Sequence, residues 1–321
     1  MTSKERVRRT IDFTGPDRVP LLYFNQDKEK SDVVLVPYSK AATFHDPNPE
    51  VTEWGYVWEK IDGTMGQPKD HPLKSWDDFD AFVPPDPDAY GRFEELPALV
   101  EANRDRYLIG DLVITGFNIV TFIRGFENTM EDLYLEPENF KRLLDLVFAY
   151  ESRIADHFLA YGVDAIYYGD DFGSQQSLLM SPALWREYIK PRYRRQFERV
   201  HAAGKHVYFH CCGQITEILP DLVEIGCDVL NLNQPDIFGI EALAAYKGKV
   251  CFNCPVDHQT VAIHGTRGEI RDYVKRLYES LGGTEGGFFG YIEEYSSIGM
   301  SPANYEAIKE AFEDLKAGRP L

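Results

Sequence analysis

Residues 204–232 read GKHVYFHCCGQITEILPDLVEIGCDVLNL, and this stretch decides the fold. The apolar run at 205–209 has the length and the aromatic, branched content of a buried strand. Residues 215–225 then show helical periodicity and stop at Gly226, after which 228–232 is a second apolar run. Strand, helix, strand with no hairpin signal between them is the repeating unit of a parallel sheet. Between the first strand and the helix stands His210-Cys211-Cys212-Gly213. An imidazole and a soft thiolate two residues apart in an extended segment point the same way and suit a zinc ion.

The alternation continues on both sides. Upstream, 163–168 is a strand, and the loop through Asp170-Asp171 leads to Ser181-Pro182, an N-cap followed by proline at the first helical position. Pro191 predicts a kink in that helix and Gly204 its end. Downstream, 240–246 is a short helix, 249–252 a strand, 266–281 a helix ending at Gly282-Gly283, and 287–292 the last strand. Ser301-Pro302 caps the final helix.

The first half is less regular. Thr2-Ser3-Lys4-Glu5 resembles a capping box before a helix at 3–13. Residues 19–24 and 107–113 read as strands, and 137–161 as a long helix stopped by Gly162. The stretch 26–106, rich in Pro, Asp and Trp, hides one more strand, at 33–37 or at 54–58. Eight strands separated by helices point to an α/β fold, a (β/α)8 TIM barrel. The alternative, an open doubly wound sheet, lacks a glycine-rich phosphate fingerprint after any strand. The expectation is one barrel domain over 1–321 with an elaborated N-terminal region.

Composition narrows the function. The 321 residues carry a formal charge of −18, which argues against broad contact with nucleic acid or an anionic membrane. No apolar run is long enough to span a bilayer, and the start has no cationic segment followed by an apolar one, so no secretory leader is expected. Five cysteines in such a chain are no disulfide framework. Cys211, Cys212, Cys251 and Cys254 fall near strand ends and suit metal or thiol chemistry in a reducing, cytoplasmic setting, while Cys227, after Gly226 at a helix-to-strand joint, reads as packing.

In a barrel, residues just after each strand converge on one mouth. In order these are Asn25; Asp111 with Thr115; Asp170 and Asp171; His210 with Cys212; Asn231 with Asn233; Asn253 with Cys254 and Asp257; and Glu293 with Glu294. Loops at the other ends, such as 202–204 and Gly282-Gly283, are plain turns. This asymmetry marks an enzyme. His210 and Cys212 are two metal ligands on this reading, with Cys254 and Glu294 as candidates to complete the shell. Asp170 or Asp171 would orient a ligand or act in proton transfer. Asn25, Tyr168, Phe172, Asn231, Asn233 and Asp257 are the expected contacts of a small-molecule substrate. The bland alternatives are a hydrogen-bonded core histidine, buried cysteines acting as small hydrophobes, and acidic loops in water.

Several motifs together resemble the uroporphyrinogen decarboxylase superfamily. They are Arg18-Val19-Pro20, the run from Tyr168-Gly169-Asp170-Asp171 to Phe172-Gly173, the Ser181-Pro182 helix reaching Lys190-Pro191, and His210-Cys211-Cys212-Gly213. Cys254-Pro255-Val256-Asp257 and Ser301-Pro302-Ala303-Asn304 complete the set. The resemblance implies a single (β/α)8 barrel. True decarboxylases of the superfamily hold their substrate with an arginine-rich N-terminal loop. Here the segment after the first strand is Asn25-Gln26-Asp27-Lys28-Glu29-Lys30, which departs from that pattern. The resemblance is closer to the zinc- and corrinoid-dependent methyltransferases, whose H-x-C-G zinc motif is matched by His210, Cys212 and Gly213. The coenzyme M enzymes of that branch carry a further cysteine after the last strand, where this chain has Glu293 and Glu294. A non-thiol substrate such as a methoxy compound is therefore expected. The corrinoid would come on a separate protein, because no D-x-H-x-x-G motif occurs. A lyase acting on a smaller carboxylate and a catalytically silent binding barrel are the rival expectations.

Overall fold

The computed structural model describes residues 1–60 and 66–321. Eight parallel strands form the barrel: β1 (Leu21–Tyr23), β2 (Val33–Val36), β3 (Tyr107–Asp111), β4 (Ala165–Gly169), β5 (His206–His210), β6 (Val229–Asn231), β7 (Cys251–Cys254) and β8 (Phe288–Ile292). Their order is β1-β8-β7-β6-β5-β4-β3-β2. The barrel is nearly closed. At its seam the Asp32 amide donates to Leu21 O (2.8 Å) and joins β1 to β2.

The strand sought within 26–106 is β2. Of the alternative stretch, Val57–Glu59 pairs antiparallel with Gln67–Lys69 in a small hairpin outside the barrel.

Alternation along each strand sorts side chains between two cores. The inner one contains Leu22, Val33, Ile109, Tyr208, Val229, Cys251 and Phe289. The larger outer one lies between strands and helices. Helix α1 (Ser3–Ile11), capped by the Thr2 hydroxyl on the Glu5 amide, sends Val7 and Ile11 into the inner core. It plugs the N-terminal end of the barrel. Full burial of each such side chain contributes about 1.5–3 kcal/mol.

Pro191 does more than kink its helix. The chain forms two helices, α4 (Pro182–Tyr188) and α5 (Lys190–Ala202), with Pro191 in the first turn of the second, where its missing N–H costs nothing. The helix expected over 215–225 is regular only at Leu219–Glu224. No helix among the described residues is long and apolar enough to cross a membrane.

Candidate metal centre

The C-terminal mouth is built from what β4, β5, β6 and β8 deliver. His210, Asn231 and Asn253 are register partners across β5 to β7, so their side chains share one layer inside the barrel, to which Gly169, the partner of His210 on β4, adds no side chain. A chain of hydrogen bonds fixes this layer. Asn253 Nδ2 donates to Phe289 O (2.9 Å), and Asn253 Oδ1 accepts from the Tyr208 hydroxyl (2.6 Å). Asn231 Nδ2 donates to Asn253 O (2.6 Å), which leaves Asn231 Oδ1 to accept from His210 Nδ1, also at 2.6 Å. The His210 proton is thereby held on Nδ1, and the Nε2 lone pair is turned to the mouth.

Nε2 lies 3.4 Å from Cys212 Sγ and 3.7 Å from Asp171 Oδ1. One ligand atom each from Asp171, His210 and Cys212 lies within 4.8 Å of the others. The Cys212 amide donates to Asp171 Oδ1 at 2.6 Å, which ties the loop after β4 to the loop after β5. Burial first, and then the charges of Asp171 and Glu293, push the Cys212 thiol well above its usual range. A divalent cation inverts that balance and favours the thiolate.

The tie depends on two glycines. At Gly213, which has φ 79°, an added Cβ would meet Gly173 O at 2.1 Å, and at Gly173 it would meet Gln214 N at 2.5 Å. Both obstacles are backbone, so neither can rotate away. Gly213→Ala is expected to cost about 2–4 kcal/mol from strain and the forced separation of the loops. Urea denaturation checks this, and an unchanged midpoint would refute the close approach.

The remaining expected site residues divide by which face of their strand they occupy. Tyr168, Phe172 and Cys254 are fully buried in the outer core. Tyr168 packs against Tyr193 and Phe197, and Phe172 against Trp185 and Phe209. Burial pushes the Cys254 thiol up to about 12. These three are corrected from substrate or metal contacts to packing residues, because period-two alternation turns them away from the mouth.

Asp170 also faces outward. It is fully buried, and its oxygens accept from the Phe117 and Asn118 amides (2.8 and 2.9 Å) and the Tyr193 hydroxyl (2.7 Å). Asp170 thus binds the first-turn amides of α2 (Gly116–Arg124), with both carboxylate oxygens engaged by the scaffold. Asp257 has a similar fate: its carboxylate binds the Asp236, Gln259 and Thr260 amides. Asn25 is paired with the Glu294 backbone, and Glu294 Oε1 accepts from the Ser296 amide (2.9 Å). Glu294 is outside the metal cluster.

The acidic group turned inward after β8 is Glu293, two residues beyond the inner-core Tyr291. Burial raises its carboxyl to about 7. No separate sequence signal marks His258. It is 3% exposed, its ring lies 4.9 Å from that of Tyr295, and burial and then the charge of His210 lower it to about 4. Among the described residues, His258 Nδ1 and Asn233 Oδ1 are buried without a hydrogen-bond partner. The two residues are neighbours, since the His258 amide donates to Asn233 O (3.2 Å).

The family profile described as uroporphyrinogen decarboxylase (URO-D) matches residues 61–304. No curated protein sequence matches the chain. Among solved structures, one described as a methyltransferase from Methanosarcina mazei superposes with a TM-score of 0.72 at 16% identity, over 98% of this chain and 99% of that one. A B12-independent methionine synthase from Shewanella sp. W3-18-1, in complex with selenomethionine, superposes with a TM-score of 0.54 at 13% identity, over 84% of this chain and 77% of that one. At such identities the likeness is one of fold.

Proposed function

The chain belongs to the uroporphyrinogen decarboxylase family, and from that premise we propose that it is a zinc-dependent methyltransferase, one barrel domain over 1–321. It moves a methyl group between a small substrate, such as a methoxy compound, and a corrinoid carried by a separate protein. The observation that carries this reading is the Asp171, His210, Cys212 cluster. Zinc bonds of ordinary length in tetrahedral geometry place ligand atoms about 3.4–3.6 Å apart. The separations from His210 Nε2, 3.4 Å to Cys212 Sγ and 3.7 Å to Asp171 Oδ1, fit that spacing. Three protein ligands leave a fourth position, as catalytic zinc sites do.

Zinc held there supplies Lewis acidity, which polarises the bond between a substrate heteroatom and its methyl group. The chain's own residues do the rest. Asn231 keeps His210 in the ligating tautomer. Asn233 Oδ1 and His258 Nδ1, buried and unpartnered, offer hydrogen bonds to a polar group of the substrate. Leaving such atoms unsatisfied costs about 1–3 kcal/mol each, which a bound substrate recovers. Glu293, its carboxyl raised to about 7 by burial, is only partly ionised at neutral pH, which limits the negative charge that the mouth presents to an electron-rich ether.

The test is formation of methylcobalamin, followed by absorbance. Zinc-loaded protein is mixed with reduced cobalamin and a panel of methoxy and methylthio compounds. Methyl transfer that requires both zinc and His210 supports the reading. Release of carbon dioxide from a carboxylate panel by metal-free protein, with no methyl transfer, would replace it with a lyase.

A further inference from the structure

We propose that the hollow between the ends of β2 and β3 and the N-terminal excursion is a subsite for an uncharged aromatic ring, making the substrate an aryl ether or substituted phenol. This deepens the methyltransferase reading and rests on it. The cavity has a volume of about 270 Å³ and is walled by Tyr38, Trp54, Tyr56 and Tyr150 over Leu112 and Ile114. A dry cavity of about 150 Å³ takes benzene. This one has room for a ring with small substituents.

The wall residues are packed against other rings. Trp54 meets Tyr150 edge-on at 5.0 Å, and Tyr56 meets Phe122 edge-on at 5.3 Å. A further ring entering such a frame gains about 0.5–1.5 kcal/mol per aromatic contact beyond area burial.

An organic cation is disfavoured by the charges already in place. The Arg92 guanidinium lies 5.9 Å from the Tyr38 ring and 5.8 Å from the Tyr150 ring. The same Arg92 is bidentate to Glu53, at 2.8 Å through each nitrogen. The ring quadrupoles and the Glu53 charge are therefore already engaged. Burial raises the Glu151 carboxyl to about 8, so it is mainly uncharged at neutral pH, and its oxygens accept from the Gly116 amide and Gln196. Lys40 adds positive charge to the lining and opposes the Asp111 carboxylate, which burial raises to about 6 and which already accepts from the Val113 amide.

The hollow adjoins the metal cluster's mouth through Asp111, which lines the cavity and ends β3. Asp111 is the register partner of Tyr167, and the Tyr167 ring is stacked 6.2 Å from that of His210. Beside it, Val113 holds φ 63° while 55% exposed, with its amide donating to Asp111 Oδ1 (2.8 Å). A β-branched residue in that region is strained, and such strain concentrates at binding sites.

The test is calorimetric titration of the full chain with 2-methoxyphenol, with tetramethylammonium as the cationic probe. Two variants address the cavity. Ser39→Trp fills it from an exposed position whose hydrogen bonds are made by the backbone. Trp54→Leu removes one wall. The expected result is binding of 2-methoxyphenol to the parent, weakened about tenfold or more in both variants, with zinc uptake unchanged. No binding to the parent, equal binding in both variants, or tighter binding of tetramethylammonium would overturn the proposal. Zinc uptake, read in the same samples, separates the two ideas. Ring binding without zinc removes the methyltransferase reading and keeps the subsite, whereas zinc without ring binding does the reverse.

Discussion

Cys212→Ala protein, purified without chelator or metal-affinity tag, will retain little zinc where the parent holds about one per chain. Cys212 is the only soft ligand in the cluster, and its backbone amide also fixes Asp171. The substitution removes the thiolate and keeps the amide, so the loss reports on the ligand and not on the loop. Cys254→Ala is the matched control. It deletes a fully buried thiol in the outer core and should lower stability while leaving the metal content of the folded protein intact. Asn231→Ala should weaken zinc binding by about 10–100-fold without abolishing it, because it frees the imidazole rather than removing it. Mass spectrometry of the bound metal decides among these. A Cys212→Ala protein carrying as much zinc as the parent would end the metal reading. A Cys254→Ala protein that folds yet loses its zinc would show that strand alternation had been misapplied.

That alternation is where the sequence was hardest to read. The strands at 163–168, 205–209 and 228–232 were visible because parallel barrel strands are apolar on both faces. The same property hides which face points inward, since a continuous apolar run has no period-two signal. Three expectations fall one residue away from the inward-facing position, and parity decides a fourth pair left open. Tyr167 faces inward where Tyr168 is the expected contact, Glu293 faces the barrel where Glu294 is the expected ligand, and of the two candidates Asp170 and Asp171 it is Asp171 that joins the cluster. Asn253 belongs to the inner layer where Cys254 is the expected ligand. The tyrosine, aspartate and glutamate pairs are identical in chemistry and differ only in parity. His210 with Cys212 escaped the ambiguity because the spacing of the pair, two residues, is itself the strand period. His258 escaped notice for another reason: its significance lies in an unpartnered Nδ1, which only three-dimensional packing reveals. The described part of 26–106 is hard to read because its structure rests on contacts between residues distant in sequence. Arg92, for instance, holds Glu53 and two tyrosines that are distant in sequence.

The barrel's seam gives the second large effect: replacing Asp32 with alanine should destabilise the fold by about 3–5 kcal/mol. Asp32 is 1% exposed and stands where β1 meets β2. Its carboxylate accepts from both Arg18 terminal nitrogens (2.8 Å each), from Arg6 Nη1 (3.0 Å), from the Ser3 hydroxyl (2.6 Å) and from the Leu21 amide (3.0 Å). One side chain thus ties the plug helix, the Arg18-Val19-Pro20 segment and the seam together. Without it, Arg6 keeps Asp17 as a partner, but Arg18 loses its ion-pair partner. Burial by itself would push the Asp32 carboxyl up, yet the Arg18, Ser3 and Leu21 donors and the Arg18 charge bring it below the ordinary value. A depressed carboxyl contributes stability that is fully present above the unfolded value of about 3.9 and is lost as pH falls towards the folded one. The gap in urea midpoint between parent and Asp32→Asn should therefore be wide at neutral pH and narrow progressively below about pH 4. A gap of constant width down to acid pH would show that shape, and not charge, holds the seam. No gap at neutral pH would show that β1 and β2 are joined by their backbone alone.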